Sequence, residues 1–242
     1  MIHLIVKEIQ SYFSSLIAYV VISVFLLIMG LFLWIYPDTN VLDFGYANLD
    51  TLFLMAPYIF IFLISAITMK SFSEEYRVGT FELITTTKIT DTQIILGKFF
   101  AHCFIVFLTL LPTFFYVFTI HQLGAVKGNY DTGGIVGSYI GLLLLSSCYV
   151  SMGMFASSLT KNQIVSFLFS MALCYLFYES FKRLSELSFL GKIAFFVEWL
   201  GIDYHYFSIS RGVIDTRDIL YFLGFIAIFL GFTKWRFSLR LW

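Results

Sequence analysis

The stretch LIAYVVISVFLLIMGLFLWIY, residues 16–36, is 21 residues long and contains no charged side chain. A helix needs about 20 apolar residues to cross the roughly 30 Å hydrocarbon core of a bilayer. The stretch is also longer than the apolar core of a secretory signal peptide, and no cleavage site of small residues follows it. We therefore expect it to form a first transmembrane helix that the protein retains.

The rest of the chain repeats this pattern. Hydrophobic residues make up 60% of the 242 residues and charged residues only 12%, and the mean hydropathy is +0.89. These values are too apolar for an ordinary soluble domain. We predict an all-α polytopic membrane protein with one transmembrane domain, residues 1–242. Its six predicted spans are residues 15–36, 52–70, 99–121, 135–159, 162–178 and 219–234.

The distribution of Lys and Arg predicts the orientation of these spans. With a cytosolic N-terminus, the inner segments carry nine Lys and Arg residues and the outer segments six, five of which lie in the long segment 179–218. The first outer loop, 37–50, has three Asp and no Lys or Arg. Because positive charge accumulates in cytosolic loops, we expect both termini to be cytosolic.

Two segments outside the spans are predicted to lie at the membrane surface. Ile2, Ile5, Ile9 and Phe13 recur at helical spacing, with Glu8 near the edge of their stripe, which favours an amphipathic interfacial helix over residues 1–14. The alternative is a frayed terminus. In the outer loop 179–218, LSFLGKIAFFVEWLG is apolar but too short to span, which predicts a re-entrant or interfacial helix.

The fourth span carries small residues four positions apart, a spacing that lets helices approach closely in lipid. Their contact is either within the chain or with a second membrane subunit, and the sequence leaves both open. These residues are Gly133, Gly137, Gly141, Ser147, Ser151, Gly153 and Ser157.

Motifs for catalysis are missing. The chain has no GxxxxGK[ST] phosphate-binding loop, no HExxH and no GxSxG, so we expect no ATP hydrolysis or other catalysis by this chain. Its three cysteines lack metal-ligand spacing, and we predict no metal or cofactor. Zero net charge gives no indication of nucleic-acid binding. The spans also lack the mid-membrane charges that ion-coupled carriers usually need.

The polar segment 71–98 interrupts this apolar chain. Eight charges lie between Lys70 and Lys98, including the adjacent pair Glu74 and Glu75. SFSE (71–74) and TDTQ (90–93) both fit the capping-box pattern of a helix start. The segment is either a cytosolic docking site for a soluble partner or a solvated loop whose acids favour helix N-termini.

EEYRVGTFELI (74–84) followed by LGK (96–98) resembles the cytosolic signature of ABC-2-type permeases, the membrane subunits of one class of ATP-binding cassette transporters. Lys88 departs from this pattern, since many relatives have proline there, and the departure implies a less rigid turn. Within the class, residues 6–34, 40–50 and 204–222 are most similar to the gliding-motility-associated permease subunit of Bacteroidetes. The residues that match the signature are Glu74, Glu75, Gly79, Thr80, Glu82, Leu83, Gly97 and Lys98.

This resemblance implies a complex in the bacterial inner membrane. A separate cytosolic ATPase subunit would drive transport or mechanical work, and Glu74 and Glu75 would pair with basic residues or hold their helix to neighbouring elements. It also implies a second membrane subunit, either a companion with a large extracytoplasmic domain or a second copy of this chain, which the small residues of the fourth span would contact. The coupling residues would be Glu74, Glu75, Gly79, Thr80, Glu82 and Leu83.

Two other functions stay open on the sequence. One is a permease of another export system, such as those linked to copper and nitrous-oxide reductase maturation. The other is a membrane scaffold that holds other proteins without moving a substrate. Nothing in the sequence identifies a substrate.

Overall fold

The protein is a bundle of α-helices in a computed structural model that describes residues 2–43, 48–80, 89–124, 130–187, 191, 193–213 and 215–239. These ranges contain helices and turns, and no strand. Within these ranges, six helical segments are long and apolar enough to cross a membrane. This confirms the prediction of an all-α polytopic membrane protein.

The helices of the described ranges follow the order of the predicted spans. A 3₁₀ turn joins α5 to α6, and a π turn joins α8 to α9, so each of these pairs crosses the bundle as one segment. The helices are α1 (Ile2–Ser14), α2 (Ile17–Trp34), α3 (Asp50–Thr68), α4 (Ser73–Val78), α5 (Asp91–Leu110), α6 (Phe114–Leu123), α7 (Thr132–Leu159), α8 (Gln163–Tyr175), α9 (Phe181–Ser185), α10 (Ala194–Trp199), α11 (Ile202–Ser210) and α12 (Thr216–Ser238).

Helix α7 occupies the centre of the bundle. It contacts α3, α5, α8, α11 and α12, and it is the most buried of the six spans. The spans that surround α7 instead expose large apolar side chains, among them Leu27, Phe62, Phe118 and Leu220. An apolar surface around a helical bundle is the surface that lipid tails cover.

The two ends of the bundle are formed by different helices. One end, the α1 face, contains α1, α4 and the start of α5. The opposite end, the α11 face, contains α10, α11 and the starts of α3, α7 and α12. The fifth span extends through α9 to Ser185, beyond its predicted end at residue 178. The short helix α10 lies in the segment expected to be interfacial or re-entrant, residues 187–201, and α11 follows it within the loop 179–218.

The small residues of α7 pack inside the chain. A Cβ atom added at Gly137 would lie 2.8 Å from the Ile209 carbonyl oxygen of α11, and one added at Gly141 would lie 3.3 Å from the Ile209 side chain. At Gly153, an added Cβ would lie 2.0 Å from Oγ1 and 2.8 Å from Cβ of Thr68 on α3. These glycines therefore set how closely α3 and α11 approach α7.

The remaining small residues of α7 also have partners in the chain. Ser147 Oγ accepts a hydrogen bond from the Cys103 thiol at 3.7 Å, Ser151 Oγ donates to the Cys148 carbonyl, and Ser157 binds the backbone where α3 ends. Gly133 is exposed, and its backbone lies beside Gly212, which has a positive φ of 82°.

We predict that Gly153→Ala destabilises the bundle. The added methyl group meets a branched side chain that cannot swing away from α7, and such overpacking costs about 1–3 kcal/mol. The expected fall in Tm, measured in detergent, is roughly 3–10 °C. Gly224→Ala on α12 is the matched control, because no atom lies within 4 Å of its added Cβ. Equal Tm values for the two variants would contradict the close contact of α3 with α7.

Candidate functional site: the Lys98 cluster

The site begins with the cap that fixes the start of α5. Gln93 N–H donates to Thr90 Oγ1 at 3.4 Å, and Thr90 N–H donates to Gln93 Oε1 at 3.2 Å. The capping box predicted from TDTQ is therefore confirmed. Lys98 lies two turns after this helix start, and its position on α5 directs its side chain into the bundle.

The second predicted capping box, over residues 71–74, is wrong. Helix α4 begins at Ser73 with Phe72 as its N-cap, and no side chain of the cap residue binds the helix. Ser157 Oγ of α7 instead accepts hydrogen bonds from the N–H groups of Phe72 at 3.0 Å and Ser73 at 3.1 Å. A tertiary contact, absent from local sequence, thus replaces the local cap.

Lys98 is the centre of a buried ion cluster. Its Nζ lies 2.8 Å from Glu75 Oε1 on α4 and 3.0 Å from Glu8 Oε1 on α1, and the residue is only 2% exposed. Removing one charge from water costs several kcal/mol, which only close opposite charges with good hydrogen bonds can offset. We call Glu8, Glu75 and Lys98 the Lys98 cluster. It joins α1, α4 and α5.

A second polar link lies one turn further into the bundle. The Tyr12 hydroxyl lies 2.8 Å from His102 Nε2 and 3.0 Å from the Ile67 carbonyl oxygen, and His102 Nδ1 lies 2.5 Å from the Lys98 carbonyl oxygen. Burial is the main reason why the pKa of Tyr12 lies well above its ordinary value, and the nearby carboxylates of Glu8, Glu74 and Glu75 raise it further. The phenol therefore stays protonated and acts as a hydrogen-bond donor between α1 and its neighbours.

These contacts set the rotation of α1. Leu4, Glu8 and Tyr12 share one helical face and point at α5, where an added Cβ at Gly97 would lie 2.2 Å from Leu4 Cδ2. Residues 2–14 form the predicted helix. Ile2, expected in its apolar stripe, is 73% exposed. The apolar stripe alone misses this rotation, because Glu8 becomes an inward residue only when Lys98 neutralises it.

The structure separates the two acids of the predicted pair. Glu75 points inward to Lys98, whereas the Glu74 side chain is 41% exposed and its Oε1 lies 3.7 Å from Nη2 of the exposed Arg77. Gly79 ends α4 with a φ of +79°, a left-handed conformation that favours glycine. Thr80 follows, half-buried. Glu82 and Leu83 lie outside the described residues.

The α11 face carries a polar pair that sequence reasoning missed. His205 Nδ1 lies 2.7 Å from Asp218 Oδ1 and Nε2 lies 2.9 Å from the Trp199 carbonyl oxygen, so the pair ties α11 to α12. The Tyr221 ring stacks on the imidazole at 3.8 Å. Each ring nitrogen of His205 therefore has an oxygen atom within hydrogen-bond distance. No spacing motif marks these two residues in the sequence.

The Lys98 cluster is suited to holding helices together rather than to catalysis. Lys98 binds both carboxylates and is itself buried, and the Glu8 and Glu75 side chains are only 13% and 15% exposed. In the part of the chain that the structure describes, no three His, Cys, Asp or Glu residues are grouped to hold a metal ion. The fold and this site define a multi-pass helical membrane protein with a charged link at one end. No protein-family model matches this chain, and a comparison with the curated proteins found no match.

We predict that Lys98→Met destabilises the protein strongly. The change keeps the apolar stem but leaves Glu8 and Glu75 buried without their cation, which costs about 3–5 kcal/mol and should lower Tm in detergent by roughly 10 °C. The triple variant Glu8→Gln, Glu75→Gln, Lys98→Met should recover at least half of that loss, since no buried charge remains.

Lys161→Met is the control, because Lys161 is exposed, and it should leave Tm within about 1 °C. If Lys98→Met matched this control, or if the triple variant were less stable than Lys98→Met, the cluster would not be a buried ion pair.

Proposed function

We propose that this protein is the membrane subunit of an ABC-2-type transporter complex, in which a separate subunit hydrolyses ATP. The observation that carries the proposal is the Lys98 cluster, which joins the surface helix α1 and the short helix α4 to the span α5. Together with the EEYRVGTFELI and LGK signatures, this cluster supports a mechanism in which force applied at the α1 face is transmitted into the bundle. In this proposal the α1 face and both termini are cytosolic, and the membrane is a bacterial inner membrane.

The route of the force follows the contacts of α4. This helix continues α3 after a short turn, contacts α7 and α8, and is bound through Glu75 to Lys98. Separating that ion pair would leave the largely buried Glu75 carboxylate without its cation, at a cost of several kcal/mol. A displacement of α4 therefore moves α1 and α5 with it, so that two spans and the surface helix respond together.

The outward side of α4 is the proposed contact for the ATPase subunit. Glu74 and Arg77 are solvated there, and Val78 is 63% exposed. Gly79, Thr80, Glu82 and Leu83 extend this proposed contact beyond α4. Because exposed ion pairs are worth at most about 1 kcal/mol, Glu74 contributes to orientation, and Glu75 transmits the motion.

The proposal includes a role in gliding motility and a second membrane subunit, either a companion with a large extracytoplasmic domain or a second copy of this chain. Six of the seven small residues of α7 are half-buried or buried in contacts within the bundle. We therefore place the contact with a second subunit on a lipid-facing surface. The similarity of residues 6–34, 40–50 and 204–222 to the gliding-motility-associated subunit supports the specific assignment.

A pull-down from native membranes tests the proposal. The tagged protein should recover an ATPase with a phosphate-binding loop, and the complex should show vanadate-sensitive ATP hydrolysis. Recovery of partners that include no such ATPase would contradict the proposal and favour the scaffold.

Single substitutions in this complex should separate docking from coupling. Glu74→Ala should weaken co-purification of the ATPase by up to about fivefold, the equivalent of about 1 kcal/mol. Glu75→Gln should retain the ATPase but abolish its stimulation by the membrane subunit. Glu186→Gln, an exposed acid outside the α1 face, is the control. Normal stimulation with Glu75→Gln would show that the ATPase does not act through the Lys98 cluster.

A further inference from the structure

A cavity of about 660 Å³ opens at the α11 face, between the starts of α3 and α7 and the end of α11. This volume lies within the range of small-molecule binding sites. The cavity is at the level where these membrane-spanning helices begin, which is the level of lipid headgroups. Its lining combines a polar end with an apolar wall, and neither belongs to the Lys98 cluster.

The polar end offers several hydrogen-bond acceptors. Asp50 binds Asn48 Nδ2 through one oxygen, and Asp131 binds the Gly134 N–H through one oxygen, so each carboxylate keeps a further oxygen. Asn48 Oδ1 is buried and has no hydrogen-bond partner among the described residues. Because buried acceptors are normally satisfied, this arrangement calls for a donor with several N–H groups.

The same cavity contains a positive charge. Arg211 is exposed, and its guanidinium carbon lies 4.0 Å from the centre of the Phe207 ring. None of the ion pairs within the described ranges includes Arg211. A planar guanidinium held on an aromatic ring is a good partner for a phosphate group.

The apolar wall begins next to these charges. Leu54 lies one turn, about 6 Å, along α3 from Asp50, and it is 55% exposed, while Phe207 is 46% exposed. Both line the cavity. A ligand that fits all three parts has an ammonium group, a phosphate group and a hydrocarbon chain.

We propose that this cavity binds a phospholipid with a phosphoethanolamine headgroup. The primary ammonium donates to Asp50, Asp131 and Asn48 Oδ1, the phosphate binds Arg211, and an acyl chain lies over Leu54 and Phe207. The site is independent of the proposed ATPase coupling, because it uses no residue of the α1 face.

The lining favours a primary ammonium over a quaternary one. A trimethylammonium group has no N–H donors and is recognised by open aromatic faces. Phe53 and Tyr206 line the cavity but are only 5% and 3% exposed. The exposed ring of Phe207 is already stacked by the Arg211 guanidinium. A headgroup without an ammonium would leave the acceptors of Asn48, Asp50 and Asp131 unused.

Native mass spectrometry of the purified protein tests this site. With equal amounts of phosphatidylethanolamine, phosphatidylcholine and phosphatidylglycerol of identical acyl chains, bound phosphatidylethanolamine should exceed each of the others at least fivefold. Arg211→Gln and Asp50→Asn should each reduce this preference below twofold. Arg217→Gln is the matched control, since Arg217 is an exposed arginine of the α11 face outside this cavity, and it should keep the preference.

Three results would overturn the proposal. Equal binding of the three lipids would show nonspecific contact, and stronger binding of phosphatidylglycerol would show an anion site at Arg211 alone. A preference for phosphatidylethanolamine that survives both Arg211→Gln and Asp50→Asn would place the lipid elsewhere on the protein. Tm measured without added lipid should match wild type for both variants, because both side chains are exposed.

Discussion

A lysine ammonium can be withdrawn from water inside a helical bundle only when carboxylates neutralise it, since the desolvation of an unpaired charge costs several kcal/mol. Lys98 meets this condition with one acid from α1 and one from α4. The requirement fixes which side of α1 faces the bundle and where α4 lies after the turn that ends α3. It also brings Tyr12 against His102, so the α1 face is organised around one charge.

The rest of the bundle is held by close packing and by a different polar pair. Towards the α1 face, Gly153 lets the end of α3 lie against α7, and Ser157 binds the backbone between α3 and α4. At the α11 face, Gly137 and Gly141 allow α11 to pack closely against α7, and the His205–Asp218 pair joins α11 to α12. An ion cluster therefore joins the helices at the α1 face, where we propose that force enters. Close backbone contacts hold α3 and α11 against the central helix α7.

Sequence patterns predict the spans of this protein because a bilayer requires long apolar helices, and the run over residues 16–36 meets that requirement by itself. They also predict the Thr90–Gln93 cap, which depends only on neighbours in the chain. They do not identify Lys98 as the partner of Glu8 and Glu75, because it is distant in sequence. They also fail at Phe72 and Ser73, whose cap comes from Ser157 of another helix. Contacts between residues that are distant in the sequence produce no local spacing pattern from which they could be predicted.

Hydrogen–deuterium exchange of α1 tests the central claim, that the Lys98 cluster holds this helix on the bundle. In the wild-type protein the backbone amides of Val6–Ser14, which can donate to carbonyl groups within the helix, should be protected from exchange. In Lys98→Met they should exchange at least tenfold faster, a loss of about 1.4 kcal/mol of local stability, while the amides of α7 stay protected. Unchanged protection of α1 in Lys98→Met would show that apolar contacts alone hold it, and would contradict the account.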